Sequence, residues 1–319
     1  MARQRRGYFC MRIPLKSLSR QATAAHSPRR FRASSLSYFQ RRMMSTLLFE
    51  STTKQQLDAL AADLPQSTLL TGADGAGLLT AAKYVAGANI AAIIQPTDKD
   101  GTVAPAGLIK LDSIRQLRQQ ARGRAAVRTI FIIDDADRMN HRAQNAFLKL
   151  LEEPTSHVHF ILTSHKPHVL LATILSRVER FSIRPISLHQ TRQLLKRLGV
   201  NDPRTEQQLL FLASGKPAAL TRLARDPVNL EKIGDIMRDA QQFIRESNYQ
   251  RAAIAMRYTD RRAAQQLLSY CLAIITHTLH RNPSRSLIYK SEYIADAYER
   301  IAANGNVRLQ LVALVLSMV

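Results

Sequence analysis

Cysteine is scarce: Cys10 and Cys271 are the two in the chain, far apart in sequence. Two thiols build neither a disulfide framework nor a four-cysteine zinc site, and a reducing compartment is the natural setting. Long apolar runs are missing as well. None reaches the ~18 residues of a membrane span, and the longest late one, 309–319, reads as a core helix. Acidic residues are absent from the whole stretch before Glu50, where residues 1–44 hold ten arginines and one lysine.

What is present is apolar and basic. Hydrophobic residues make up 45% of the 319, enough for about two or three domains at ~150 residues each. Lysine and arginine number 46 against 24 acids, a net charge of +22, and half of that excess sits in residues 1–44. The remainder is still basic, which favours a polyanionic partner such as DNA, although solvated faces are often rich in these residues too. Residues 1–45 are set apart from the fold. Three readings of them stay open: a start assigned upstream of the true one at Met43 or Met44, a disordered basic tail, or an organellar transit segment.

From residue 46 helix and strand patterns alternate. Leucines 57, 60 and 64 predict a helix over 53–64 behind a Ser/Thr cap. Strands are expected at 68–71, 89–94, 129–133, 158–163 and 180–183, with helices over 77–87, 110–121 and the stripe Met139, Ala143, Ala146, Phe147, Leu150, Leu151, stopped by Pro154. Strands separated by helices imply a parallel sheet covered on both faces. After Pro185 the strands cease. Helices at 188–198, 205–213 and 217–224 predict a small domain over 186–227. Helices at 229–246, 249–258, 260–281, 287–303 and 306–318 predict an all-helical one over 228–319, punctuated by Asn282-Pro283 and Asn304-Gly305-Asn306. The α/β unit is expected over 46–185.

Two segments carry candidate chemistry. TGADGAGLL, residues 71–79, stands where a strand turns into a helix, the place for a phosphate-binding loop. Gly72, Gly75 and Gly77 meet its backbone needs, but Leu78 and Leu79 stand where Lys and Ser/Thr would hold phosphate and Mg²⁺. The loop is either a degenerate nucleotide site or a Gly-rich turn that never held one. IFIIDDAD, residues 130–137, is an apolar strand ending in carboxylates at the sheet edge where open α/β folds bind ligands. Asp134 is a candidate for holding Mg²⁺ through water. Asp135 stands where an ATPase has a water-activating Glu, one methylene too short. Capping carboxylates at a strand end are the alternative. Glu152 and Glu153 fall in a last helical turn, where the dipole disfavours them. They are either solvated or in contact with something.

AQNAFLKLLEEP at 143–154, FILTS at 160–164 and TILSRVERF at 173–181 resemble the clamp-loader branch of the AAA+ superfamily. Weaker similarity extends to IKLDSIRQL at 109–117 and to NGNVRLQLVALVL at 304–316, the latter like a final collar helix. The resemblance implies an AAA+ RecA-like parallel five-stranded sheet with helices on both faces, a helical lid and an all-α collar. It makes Thr163 a sensor-one residue and gives Lys216 a sensor-two position. Ser176-Arg177-Val178 matches the Ser-Arg-Cys motif with Val for Cys, and so implies that Arg177 acts as an arginine finger in a neighbour's ATP site. Taken without the motif, Arg177 pairs with a local acid such as Glu179 or is solvated.

By the same resemblance the chain is a non-hydrolysing subunit of a bacterial clamp loader. It would work beside motor subunits carrying ATP and Mg²⁺ and a delta-type wrench subunit in a hetero-pentamer, with a sliding clamp and primer–template DNA bound without sequence readout. No nucleotide in cis, no zinc, no other metal and no membrane partner are expected. The expected compartment is the cytoplasm, at the nucleoid. The competing functions are an active motor-type ATPase, a remodelling or recombination factor, and a basic DNA-binding scaffold.

Overall fold

A computed structural model describes residues 48–104, 107–121, 127–153 and 156–318. The readings placed on residues 1–45 and on Pro154 lie outside them.

The first unit is built from α1 (Ser51–Ala62), β1 (Ser67–Thr71), α2 (Leu78–Ala86), β2 (Ile90–Ile94), α3 (Leu111–Ala121), β3 (Thr129–Ile133), α4 (His141–Glu152), β4 (Val158–Ser164), a short α5 (Ala172–Leu175) and β5 (Glu179–Ser182). The five strands form one sheet in the order β2-β3-β4-β1-β5, every pairing parallel. Period-2 alternation splits the strand side chains between two cores. Leu69, Phe131, Ile133, Phe160 and Leu162 face α3, α4 and α5, packing on Ile114, Leu117, Phe147 and Ile174. Leu70, Ile130, Ile132 and Ile161 face α1 and α2, packing on Leu57, Leu60, Ala82 and Val85. Helices therefore cover both faces, the five-stranded α/β fold that the sequence implies.

The cap of α1 differs from expectation. It is Glu50, whose carboxylate accepts from the backbone N–H of Thr53 at 3.0 Å. Those backbone hydrogen bonds pull the Glu50 pKa down to about 2. Ser51 and Thr52, which stand before the expected start, lie inside the helix, which ends before Leu64.

Three helices follow: α6 (Leu188–Arg197), α7 (Pro203–Ala213) and α8 (Pro217–Ala224). They pack Leu194, Leu195, Leu209, Leu220 and Leu223 into a separate cluster. Then come α9 (Pro227–Arg245), α10 (Asn248–Arg257), α11 (Arg261–Arg281), α12 (Arg285–Ala302) and α13 (Val307–Ser317). Their shared core holds Phe243, Leu267, Leu268, Cys271, Ile294, Ile301 and Leu311. Proline opens α7, α8 and α9 at the first turn, where a missing N–H costs nothing. No described helix is long and apolar enough to cross a membrane.

Candidate functional site

The Gly-rich turn joins β1 to α2. Gly75 and Gly77 have φ of +82° and +91°, in the left-handed region that glycine enters freely. The turn is gripped by α8: the carbonyl of Gly75 accepts from the backbone N–H groups of Ala218 and Ala219 at 3.0 and 3.2 Å. A Cβ on Gly75 would stand 2.6 Å from that of Ala219. The helix N-terminus at Gly77 is the kind that receives phosphate. The next two side chains do not serve one. Leu78 is buried with Leu57, Leu60 and Ile183, and Leu79 packs against the same cluster. Neither a phosphate cation nor a metal hydroxyl stands at these two positions, so they offer no charge-assisted bond to a triphosphate or its metal.

The carboxylates at the end of β3 are tied up. Asp134 is buried. Its Oδ1 accepts from the Thr163 hydroxyl at 2.8 Å and its Oδ2 from Gln95 Nε2 at 3.0 Å, while Thr163 Oγ1 accepts from the Asp135 N–H at 2.9 Å. Thr163 thus bonds to both acidic residues across β3 and β4.

Asp135 has a left-handed φ of 50° and its Oδ1 lies 3.4 Å from His165 Nε2. Burial pushes its pKa up and the neighbouring Asp134 charge adds to that, against the opposing pull of His165. The other nitrogen of His165, Nδ1, lies 2.9 Å from the carbonyl oxygen of Gly72. A carbonyl only accepts, so Nδ1 carries a proton. His165 therefore spans the gap between the turn and the acidic strand end. Asp137 fixes the end of β4, accepting from the Ser164 hydroxyl at 2.7 Å and the His165 N–H at 3.1 Å. Gln95 and His165 were not singled out in the sequence. Their signal is positional: each directly follows a strand whose neighbour carries the acids.

Beside the turn a cavity of about 450 Å³ is bounded by Phe49, Gly77, Thr80, Leu194, Thr221, Arg222 and Arg225. Lys216 caps α8 through its backbone position, without a side-chain cap bond.

Ser176 and Arg177 lie elsewhere. They follow α5 and precede β5, whose Glu179 pairs with Thr68 at the start of β1. The Gly-rich turn follows the other end of β1. Because the strands are parallel, Arg177 sits at the opposite end of the sheet from Gly72, Asp134 and Thr163, roughly 15 Å away at about 3.3 Å per residue. Its platform is anchored. Gln144, buried in α4, donates to the carbonyls of Met139 and Val169 and accepts from the Leu171 N–H at 2.8 Å. Ile174 and Val178 are buried in the main core, so valine in place of cysteine serves packing. The guanidinium is exposed. It donates through Nη1 to the Thr173 carbonyl at 3.1 Å and pairs through Nη2 with Glu152 at 3.1 Å. The local acid is thus Glu152, not Glu179, and Glu152 at the end of α4 has a cation beside it.

Comparison with known proteins agrees with this architecture. The family model described as DNA polymerase III, delta subunit, matches residues 34–187. DNA polymerase III subunit tau of Escherichia coli is 36% identical over 100 residues, 30% of this chain and 15% of the relative. DNA polymerase III subunit delta' of Pseudomonas aeruginosa is 34% identical over 122 residues, 36% of each chain. The chain therefore spans little more than a third of these curated relatives at most. In fold, a DNA polymerase III gamma subunit-related protein of Thermotoga maritima superposes with a TM-score of 0.50 at 20% identity, covering 82% of this chain and 98% of that one. With its five-stranded parallel sheet, its Gly-rich strand-to-helix turn and its Ser-Arg turn before the edge strand, the chain is similar to the clamp-loader family of AAA+ proteins, and these matches support placing it there.

Proposed function

We propose that this chain is a delta-prime-type subunit of a bacterial DNA polymerase III clamp loader, which hydrolyses no ATP itself and lends Arg177 to the ATP site of an adjacent motor subunit. One observation carries the reading: the exposed guanidinium lies at the far end of the sheet from its own chain's Gly-rich turn, and that turn has buried leucine where the catalytic cation belongs. Such an arginine serves a second molecule or none. A planar guanidinium suits the γ-phosphate oxygens of a neighbour, and trans fingers in other NTPases contribute about 10³–10⁵ in rate.

The final helix supports assembly. In α13, Leu311, Leu314 and Val315 point inward, while Leu309, Val312 and Leu316 are exposed. An outward apolar stripe on an already packed helix suits contact with neighbouring subunits in a collar, with the motor subunits and a delta-type wrench subunit as partners. Arg115, Arg118 and Lys149 line a cleft of about 340 Å³ between α3 and α4. These cations suit the phosphates of primer–template DNA held by charge rather than sequence while the sliding clamp is loaded.

The cavity beside the turn favours a second reading, an active motor-type ATPase, because a base-sized space persists there. Calorimetric titration of the isolated chain with MgATP separates the two. The proposal expects no saturable binding at micromolar nucleotide; tight, Mg²⁺-dependent binding with turnover would install the alternative.

A further inference from the structure

We infer that Glu152 is a positioning residue for the arginine finger, aiming Arg177 outward before a neighbour arrives. This rests on the reading of Arg177 as a finger.

The platform of Arg177 is weak on its own. The helix α5 has four residues, and the Arg177 backbone sits just past its C-cap, Ser176. The side chain has four rotatable bonds and would otherwise sample many directions. Besides a long 3.5 Å bond from Nη1 to the hydroxyl of the adjacent Ser176, two contacts limit it. One is the Thr173 carbonyl, one turn back on the same short segment. The other is the carboxylate of Glu152, which belongs to α4 and so ties the arginine to the body of the sheet domain. The same helix already holds the start of this segment through Gln144. Gln144 and Glu152 stand eight residues apart, just over two turns of α4, and brace the Ser-Arg segment at its two ends.

The energetics agree with positioning rather than with stability. A carboxylate at a helix C-terminus faces the negative end of the dipole, and an ion pair this exposed contributes little to folding. What the pair does supply is direction. A guanidinium has five N–H donors. Glu152 engages Nη2, Thr173 and the Ser176 hydroxyl engage Nη1, and among the described residues nothing accepts from Nε. Donors therefore remain for phosphate oxygens while the side chain stays held. Fixing it beforehand lowers the ordering cost of engaging the neighbour's nucleotide in the transition state.

The test is a double-mutant cycle in the reconstituted clamp loader, reading DNA- and clamp-stimulated ATP hydrolysis by the motor subunits. Glu152→Ala is expected to lower kcat about two- to fivefold, the range that an exposed pair of this kind can influence, with KM for ATP unchanged. It should leave the melting midpoint of the free subunit unchanged, and in an Arg177→Ala background it should have no further effect. Wild-type kcat in Glu152→Ala, or an undiminished loss in the Arg177→Ala background, would overturn the positioning role while leaving the finger standing. An Arg177→Ala complex with wild-type turnover would instead remove the reading beneath it.

Discussion

At the residue scale, the acidic strand end is held together by its own polar neighbours, Gln95, Thr163 and His165. Asp135 is the least comfortable residue there, half-buried beside Asp134. The folded chain holds its proton more tightly than the unfolded chain does. Its contribution to stability is therefore full below the ordinary carboxylate range and falls as pH rises through the raised value. Above that value the ionised carboxylate is a cost. Asparagine removes the charge and donates an N–H toward His165 Nε2. Asp135→Asn is expected to raise the melting midpoint at pH 7.5 by about 1–3 °C, and the gain should vanish as the pH is lowered toward 4. A thermal melt series across that range checks it; a lower midpoint at pH 7.5 would mean that ionised Asp135 is stabilising.

At the element scale, two helix C-termini converge in the last bundle and are closed by cations. Arg251, buried in α10, donates through Nε to the Phe243 carbonyl at 3.0 Å and through Nη1 to the Met318 carbonyl at 2.9 Å and to Asn248 Oδ1 at 2.8 Å. Lys290 of α12 donates to the Ile244 carbonyl at 3.2 Å. The ends of α9 and α13 leave unpaired carbonyls and carry partial negative charge, and these cations answer both. Burial pulls the pKa of Arg251 down, so its charge is retained against a cost. Arg251→Met keeps much of the volume and strips the donors. It is expected to destabilise the bundle by about 2–4 kcal/mol, seen as an early transition in urea monitored by far-UV circular dichroism. Unchanged unfolding would show that these carbonyls find other partners.

Elements were legible where apolar pattern and punctuation coincide. The run Thr129–Ile133 and the segment Pro217–Ala224 appear at the ends read from sequence, one bounded by its β-branched composition and the other by Ser214-Gly215 and Pro217. The excursion after β2 was not legible. Thr97 bridges Val103 and Leu108, and Ile109 bridges Met139. A turn there is organised by Asp98, which accepts from the Asp100 and Thr102 N–H groups. Its pairing partners lie too close to one another and too irregularly to leave a period. The cap of α1 lies one or two residues earlier than expected because Ser51 and Thr52 are better capping residues by type than the glutamate that caps the helix.

At the scale of the whole molecule, the fold separates two places along the strand axis. One end of the sheet holds a Gly-rich turn gripped by α8 and carboxylates closed by Gln95, Thr163 and His165. The other holds an exposed arginine braced by α4. The sequence announced the first through leucine in place of lysine, and the second through the Ser-Arg pair in its motif. It could not announce Gln95 or His165, whose roles depend on partners dozens of residues away, and it marked Glu152 as misplaced at a helix end without pointing to Arg177 as its partner. Gln144 was visible only as part of the AQNA segment, since its bonds to Val169 and Leu171 form once the strand–helix layers are stacked.

The central claim is that this chain completes a catalytic site on another molecule. The direct measurement is ATP hydrolysis by the complete clamp loader, stimulated by clamp and primed DNA, with Arg177→Ala in this subunit alone. The account predicts that turnover at the adjacent motor site falls by about 10²-fold or more, with the complex still assembled. Turnover equal to the wild type in an intact complex would contradict it.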